Sequence, residues 1–439
     1  MAKQGRDHRV GALAPRMPWQ VEAIIQTEYS KLDPEVNRIL NWMRDQKAFN
    51  QFAHGRDPFI VHLRGTWEIL RNWNQPLHVA RCGLFHSSYS KLGFNFRYFN
   101  IHKSEDRKLL QGVIGKDAEH LVWQYCHHSS IWDRREVIDR HDKWKDLPGE
   151  LAKMKVDPKL VVLGEKLNPE GYDIPSSVDP GMTIHFTPKE VANYFVVYVA
   201  DVFDQFSDVT SYNMVYTPGY DANKKPVRIW PGTGKPGMVG DVLGMAFFSR
   251  MLYSARDYLD NIPAVFNNCT CILNAQDERE ARDLYWDARR HELTKSDEEL
   301  EKMYFRSAQL NPWVAETHIM LSQLMYRRSA WTEAANAAAK GIKLLYEWGT
   351  HWDKQVTYAQ WVGFARMCHL RAKRREAGLK ALPSQANTPS KRPGAREVTY
   401  LQDVMKAFET YTVPLRSAPK LTKKTKLVGA LVHGNKSKL

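Results

Sequence analysis

Two histidines and an aspartate lie in three separate apolar stretches of this 439-residue chain: His62, His86 and Asp201. Polar groups in an apolar interior need partners, because an unpaired ring nitrogen or a lone carboxylate costs free energy there. A shared divalent transition metal (Fe, Mn or Zn) would satisfy all three, since imidazole and carboxylate suit these ions. The alternative is three separate core side chains, each with its own hydrogen bond.

The elements that carry these residues read as helices, and the apolar periodicity of most of the chain predicts an all-α protein. Thr187, Pro188 and Glu190 form a capping box that begins the helix of Asp201. Asp57 and Pro58 are the expected cap and first-turn residue of the His62 helix. Residues 148–186 are rich in Pro, Gly and Lys, so we expect an insertion loop over the site.

The three stretches, in this order, resemble the HD superfamily of metal-dependent phosphohydrolases, and most closely the hydrolase domain of RelA/SpoT-type stringent-response proteins. The separation of His62 and His86 fits that family's first two histidine positions. Ala200-Asp201 is similar to the family's Ala-Asp pair, whose aspartate is the last metal ligand. The resemblance covers residues 50–210 and implies an HD-domain-like helical bundle. The stretch 83–89 also resembles an uncharacterised plant, algal and bacterial family related to this fold.

The chain departs from the family pattern at two places. Ser87 follows His86 where the family has His-Asp, which removes one metal-ligating carboxylate. Ser90 and Lys91 stand where stringent-response hydrolases carry the acidic pair that activates water, so their alarmone hydrolysis is not expected here. Three ligands would still leave open positions for water and substrate, and the set also suits Fe(II) oxygen chemistry.

Two classes of function follow from this site. The first is a metal-dependent hydrolase or oxygenase acting on a small anionic metabolite. Asp204 is its candidate base or outer acid, and Arg64 or Lys91 is the candidate contact to the substrate anion. The second is a catalytically inert HD-like module that binds a ligand or partner through its helical repeat region.

The segment 297–348 resembles tetratricopeptide repeats. Small or apolar residues fall at repeat-like positions: Leu321, Ser322, Met325, Ala334, Ala338 and Gly341. The resemblance extends over about one and a half repeats, fewer than a free-standing solenoid needs. We therefore predict a tetratricopeptide-like helical cap docked on the first domain, and a peptide-binding array is the alternative.

Composition and these patterns together predict the domain organisation. We expect an N-terminal helical segment (1–50), an HD-like domain with loop insertions (51–290), the helical cap (291–375), and a linker, short helix and basic tail (376–439). A hydrophobic fraction of 43% indicates a globular chain. No apolar run approaches the roughly 20 residues of a membrane span, so we expect a soluble protein. Five cysteines do not form a disulfide framework, and we expect them reduced.

The net charge of +14 and the carboxyl terminus suggest partners and a location. The positive charge is spread along the chain and no nucleic-acid-binding motif is present, so nucleic acid is not the expected partner. A small anionic metabolite explains the charge equally well, and a generally basic organelle protein explains it without any ligand. The chain ends in Ser437-Lys438-Leu439, the address that the peroxisomal import receptor binds. We expect a peroxisomal protein, or a cytoplasmic one if the tripeptide is not used.

Overall fold

The structure is a computed structural model, and it describes residues 15–54, 57–89, 96, 98–128, 166–176, 178–205, 248, 252–263, 265–266, 275–353 and 355–378. The fold is all-α, as predicted, and its described strands form only two short antiparallel hairpins. These strands are β1 (Ala53–His54), β2 (Asp57–Pro58), β3 (Tyr172–Pro175) and β4 (Thr183–Phe186). Lys91 and the segment 379–439 lie outside the described residues.

The described N-terminal region is formed by helices, three of which carry the candidate ligands. They are α1 (Trp19–Ile25), α2 (Val36–Asp45), α3 (Lys47–Gln51), α4 (Phe59–Asn72), α5 (Leu77–Phe85), α6 (Ser104–Ile114), α7 (Lys116–His128) and α8 (Pro188–Gln205). Helix α8 packs on α4, α5 and α7, and α5 packs on α4 and α7. The helices that carry His62, His86 and Asp201 are therefore direct neighbours.

The start of α8 follows the sequence prediction, and the start of α4 does not. The backbone N–H of Thr187 donates to Glu190 Oε2 at 2.8 Å, and the N–H of Glu190 donates to Thr187 Oγ1 at 3.3 Å. This is the predicted capping box. Helix α4 begins at Phe59 with Pro58 at the N-cap and no side-chain cap. Asp57 and Pro58 are instead extended and pair with β1, so the predicted cap is wrong.

The insertion predicted as a loop contains a hairpin in its described part. Strands β3 and β4 pair with Tyr172 opposite Phe186 and Ile174 opposite Ile184. These four side chains are buried and the residues between them are exposed, which is the period-two alternation of a strand with one covered face. The Pro- and Gly-rich composition concealed this short alternation, and the expectation of a simple loop is wrong here.

The C-terminal region is a series of consecutive helical neighbours. Its helices are α9 (Ala275–Arg290), α10 (Asp297–Leu310), α11 (Ala315–Arg327), α12 (Trp331–Trp348) and α13 (Tyr358–Glu376). Each packs on the next, and Gly341 of α12 faces Ile319 of α11. A Cβ at residue 341 would lie 2.6 Å from Ile319 Cγ1, so the absence of a side chain allows this contact.

The C-terminal helices lie against the end of α4. The side chain of Asn72 donates to the carbonyl of Tyr346 at 2.9 Å, and the indole N–H of Trp73 donates to the carbonyl of Trp348 at 3.0 Å. The described residues from 15 to 378 accordingly belong to one compact unit. None of the helices in the described ranges is long and apolar enough to cross a membrane.

Candidate metal centre

The structure brings the three candidate ligands together in the interior. His62 on α4, His86 at the end of α5 and Asp201 on α8 offer ligand atoms that all lie within 4.8 Å of one another. Asp201 Oδ1 is 3.2 Å from His62 Nε2 and 3.4 Å from His86 Nε2. The three residues are 3%, 6% and 0% exposed, in the order Asp201, His62 and His86.

These separations fit donors that share one ion. Two donors bound ~2.1 Å from a metal lie about 3.0 Å apart at a right angle and about 3.4 Å apart at a tetrahedral angle. The distances from Asp201 Oδ1 to the two Nε2 atoms fall within this interval. Two imidazoles and one carboxylate leave further positions on an ion open, which is the arrangement of a catalytic rather than a structural site.

The outer nitrogen of each ring is held by an acceptor, which fixes the direction of the inner nitrogen. His62 Nδ1 lies 2.7 Å from Asp204 Oδ2, and His86 Nδ1 lies 2.8 Å from the carbonyl oxygen of Gly83 in the last turn of α5. With Nδ1 of each ring donating to its acceptor, both Nε2 atoms face Asp201 and could present lone pairs to a bound ion. Histidines that bind metals usually have such an outer acceptor, which sets the tautomer and the orientation of the ring.

Asp201 is oriented by a tyrosine. The Tyr125 hydroxyl on α7 donates to Asp201 Oδ2 at 2.7 Å, while Oδ1 faces the two histidines. Burial and the neighbouring Asp201 raise the pKa of Tyr125 well above its usual value, so the hydroxyl remains a donor. The sequence did not identify this residue. Its one signal is that a tyrosine in an apolar helix needs a partner for its hydroxyl.

The charge balance of the cluster depends on His62. Burial lowers the pKa of His62, but hydrogen bonds to Asp201 and Asp204 outweigh that effect and raise the pKa from 6.5 to about 9. Without an ion, the positive charge of a His62 protonated on both nitrogens would therefore offset one of the two carboxylate charges. A metal ion would take the place of the Nε2 proton, since a ligating imidazole must present a lone pair.

Asp204 reaches His62 because α4 has no side chain at residue 65. A Cβ on Gly65 would lie 2.0 Å from Asp204 Oδ1 and 2.6 Å from its Cγ. The carboxylate occupies the space that any other residue at this position would fill. Gly65 therefore determines whether the outer hydrogen bond of His62 can form.

The other residues proposed for the site have different positions. Arg64 follows His62 by two residues, which is about 200° around a helix. Its Nε is 3.3 Å from Glu68 Oε1, which also accepts a hydrogen bond from Tyr29. This geometry gives no support to Arg64 as a substrate contact. Lys91 lies outside the described residues, and its role stays a prediction.

A family model described as Domain of unknown function (DUF6817) matches residues 42–129. The matched segment includes His62, His86 and Tyr125 and ends before α8, which carries Asp201. No curated protein and no solved structure gives a significant match to the chain. A family without an assigned function thus covers two of the three candidate ligands.

Proposed function

We propose that this chain is a metal-dependent enzyme in which His62, His86 and Asp201 hold a divalent transition metal, Fe, Mn or Zn. One observation carries the proposal: both histidines direct Nε2 toward Asp201 Oδ1 while acceptors hold both Nδ1 atoms. Three independent core residues would not need this common orientation. The arrangement agrees with the HD-like bundle that the sequence resembles, and we propose that relationship as well.

We propose hydrolysis or oxygenation of a small anionic metabolite as the reaction. A bound ion would lower the pKa of a water molecule or bind oxygen, depending on its identity. Asp204 accepts a hydrogen bond from Nδ1 of His62, and the Tyr125 hydroxyl donates a hydrogen bond to Asp201. With 21% of its side chain exposed, Asp204 is the more accessible of the two carboxylates and is the candidate to accept a substrate proton. The anionic substrate is inferred from the net charge of +14.

Elemental analysis of protein purified without added metal tests the site. We expect wild-type protein to contain one Fe, Mn or Zn ion per chain, and the His62→Ala and Asp201→Ala variants to lose it while circular dichroism stays unchanged. His185→Ala is the matched control, because His185 pairs with Asp173 in an exposed position on β4. Full metal content in His62→Ala would refute the proposal.

The second candidate is an inert HD-like module that binds a partner through its C-terminal helices. A groove of about 520 Å³ between α10, α11 and α13 favours it, with Leu293 90% exposed at its edge. Its lining is largely apolar and includes Leu300, Met320, Leu324, Trp361 and Phe364. Wild-type protein that contains no transition metal would favour this module over the enzyme.

We propose a peroxisomal location, based on Ser437-Lys438-Leu439 as the sequence bound by the import receptor. The test is a fluorescent fusion at the amino terminus, compared with the same fusion lacking residues 437–439. Punctate fluorescence that becomes diffuse without the tripeptide is expected. Diffuse fluorescence of both fusions would show that the tripeptide is not used.

A further inference from the structure

Phe203 connects the metal-bearing helix to the C-terminal helices. It follows Asp201 by two residues on α8, so its ring points about 200° away from the carboxylate. The ring is buried and contacts aromatic rings from several segments. The centroid distances are 6.2 Å to Trp73, 5.3 Å to Phe248, 5.9 Å to Phe266, 5.5 Å to Trp348 and 5.1 Å to Trp352.

Trp352 belongs to the turn between α12 and α13, and this turn is held firmly. Oε1 of Glu316 accepts the backbone N–H groups of Trp352 and Asp353. Asp353 Oδ2 in turn accepts the hydroxyl of Tyr285 at 2.7 Å. The Trp352 ring meets Phe203 edge to face at 81°. Because the turn is fixed by α9 and α11, the indole is a rigid support for Phe203.

The same C-terminal segment also holds the helix of His62. Asn72 and Trp73, at the end of α4, donate to the carbonyls of Tyr346 and Trp348. Gly349 allows this approach, since a Cβ there would lie 2.5 Å from Asn72 Nδ2. The end of α12 and the following turn therefore contact both α4 and α8, which supply two of the three candidate ligands.

We propose that the C-terminal helices set the metal affinity of the site, with Trp352 as a positioning residue that acts through Phe203. The inference rests on the proposed metal centre. Ligands must be held to within about 0.5 Å of the productive geometry, and they depend on the packing behind them. Without the indole, Phe203 has space to move, and the last turn of α8 can move with it. Asp201 and Asp204 would then lose their fixed positions relative to His62.

Titration with Co²⁺, followed by its visible absorption, measures this effect in the full-length protein. We expect Trp352→Ala to raise the dissociation constant of Co²⁺ by about 10-fold or more, as for outer groups that orient metal ligands. Trp352→Phe keeps an aromatic ring against Phe203 and should restore most of the affinity. If the alanine variant does not fold, Trp352→Leu, which fills part of the space without an aromatic ring, gives the same test, and its Co²⁺ affinity should be lower than that of Trp352→Phe.

The matched control is Ile319→Ala, which opens a cavity between α11 and α12 opposite Gly341. Ile319 is fully buried, so this variant is also destabilised, but we expect its Co²⁺ dissociation constant to stay within about twofold of wild type. If Ile319→Ala lost as much Co²⁺ affinity as Trp352→Ala, general instability would explain both losses, and the inference would be overturned.

A double substitution separates the proposed route from an indirect one. If Trp352 acts through Phe203, the variant with both residues changed to alanine should bind Co²⁺ no more weakly than Phe203→Ala alone. Unchanged affinity in Trp352→Ala would reject the positioning role and leave the metal site standing. Wild-type protein that binds no Co²⁺, Fe, Mn or Zn would reject the metal centre and this inference together.

Discussion

Replacing Gly65 by alanine should separate metal affinity from stability. The new Cβ would lie 2.0 Å from Asp204 Oδ1, which is far inside van der Waals contact. Asp204 is 21% exposed and can rotate away, so the helix need not break. That rotation removes the 2.7 Å hydrogen bond to His62 Nδ1.

The two consequences for stability have opposite signs. The lost hydrogen bond involves a charged group and contributes about 1.5–3 kcal/mol when buried, with the lower end expected for a partly exposed carboxylate. The change from glycine to alanine inside a helix contributes about 1 kcal/mol in the other direction. We therefore expect the free energy of unfolding of the metal-free protein to change by about 1 kcal/mol or less.

Metal affinity has no such compensation. Loss of an outer partner of a metal-bound histidine typically costs 10–100-fold in affinity, and we expect Gly65→Ala to fall in that range. The assay combines urea unfolding of the metal-free protein with a Co²⁺ titration. Asp204→Ala should show the same loss of affinity, and combining it with Gly65→Ala should add little, because both substitutions remove one interaction.

Gly363 provides the matched control. It lies within α13, and a Cβ there would meet nothing within 4 Å. Gly363→Ala should stabilise the protein by about 0.5–1 kcal/mol and leave Co²⁺ binding unchanged. Wild-type affinity in Gly65→Ala would refute the role assigned to the His62–Asp204 hydrogen bond.

Three other predictions concern different parts of the molecule. Tyr125→Phe removes the donor to Asp201 Oδ2, so we expect Co²⁺ binding to weaken about 10-fold. Circular dichroism should show unchanged helicity, and an unchanged Co²⁺ affinity would contradict the role of Tyr125. Burial raises the pKa of Glu316 from 4.5 to about 7, so the folded chain retains a proton that the unfolded chain releases between these pH values. The free energy of unfolding should therefore fall by up to about 3 kcal/mol as pH rises from 4.5 to 7, and urea unfolding should show that Glu316→Gln removes this component. A chain ending near residue 290 should be insoluble or destabilised, because it exposes the aromatic surface around Phe203; a stable soluble monomer would indicate an independent C-terminal module.

Local features of the fold could be predicted from the sequence because they depend on residues close together in the chain. The apolar periodicity predicted an all-α protein, and the capping box of Thr187 and Glu190 predicted the start of α8. The predicted cap of α4 was wrong because Asp57 and Pro58 are extended and pair with β1. The β3–β4 hairpin was missed because its four-residue strands are too short to stand out among the surrounding Pro and Gly residues.

The sequence by itself determined the candidate ligand types, and only the tertiary structure decided their geometry. His62, His86 and Asp201 could be selected from their apolar surroundings and their resemblance to a family pattern. Their separations depend on how α4, α5 and α8 pack. The acceptor for His86 is a backbone carbonyl, which every residue possesses, so no residue type could identify it.

The same reason applies to the groups around the ligands. Asp204 could be named from its position near Asp201, but its contact with His62 depends on the space at Gly65 on another helix. Trp352 is far from α8 in the chain and meets Phe203 only through the packing of the C-terminal helices. Sequence patterns indicate which side chains are buried, whereas the packing of helices distant in the chain decides which of them meet.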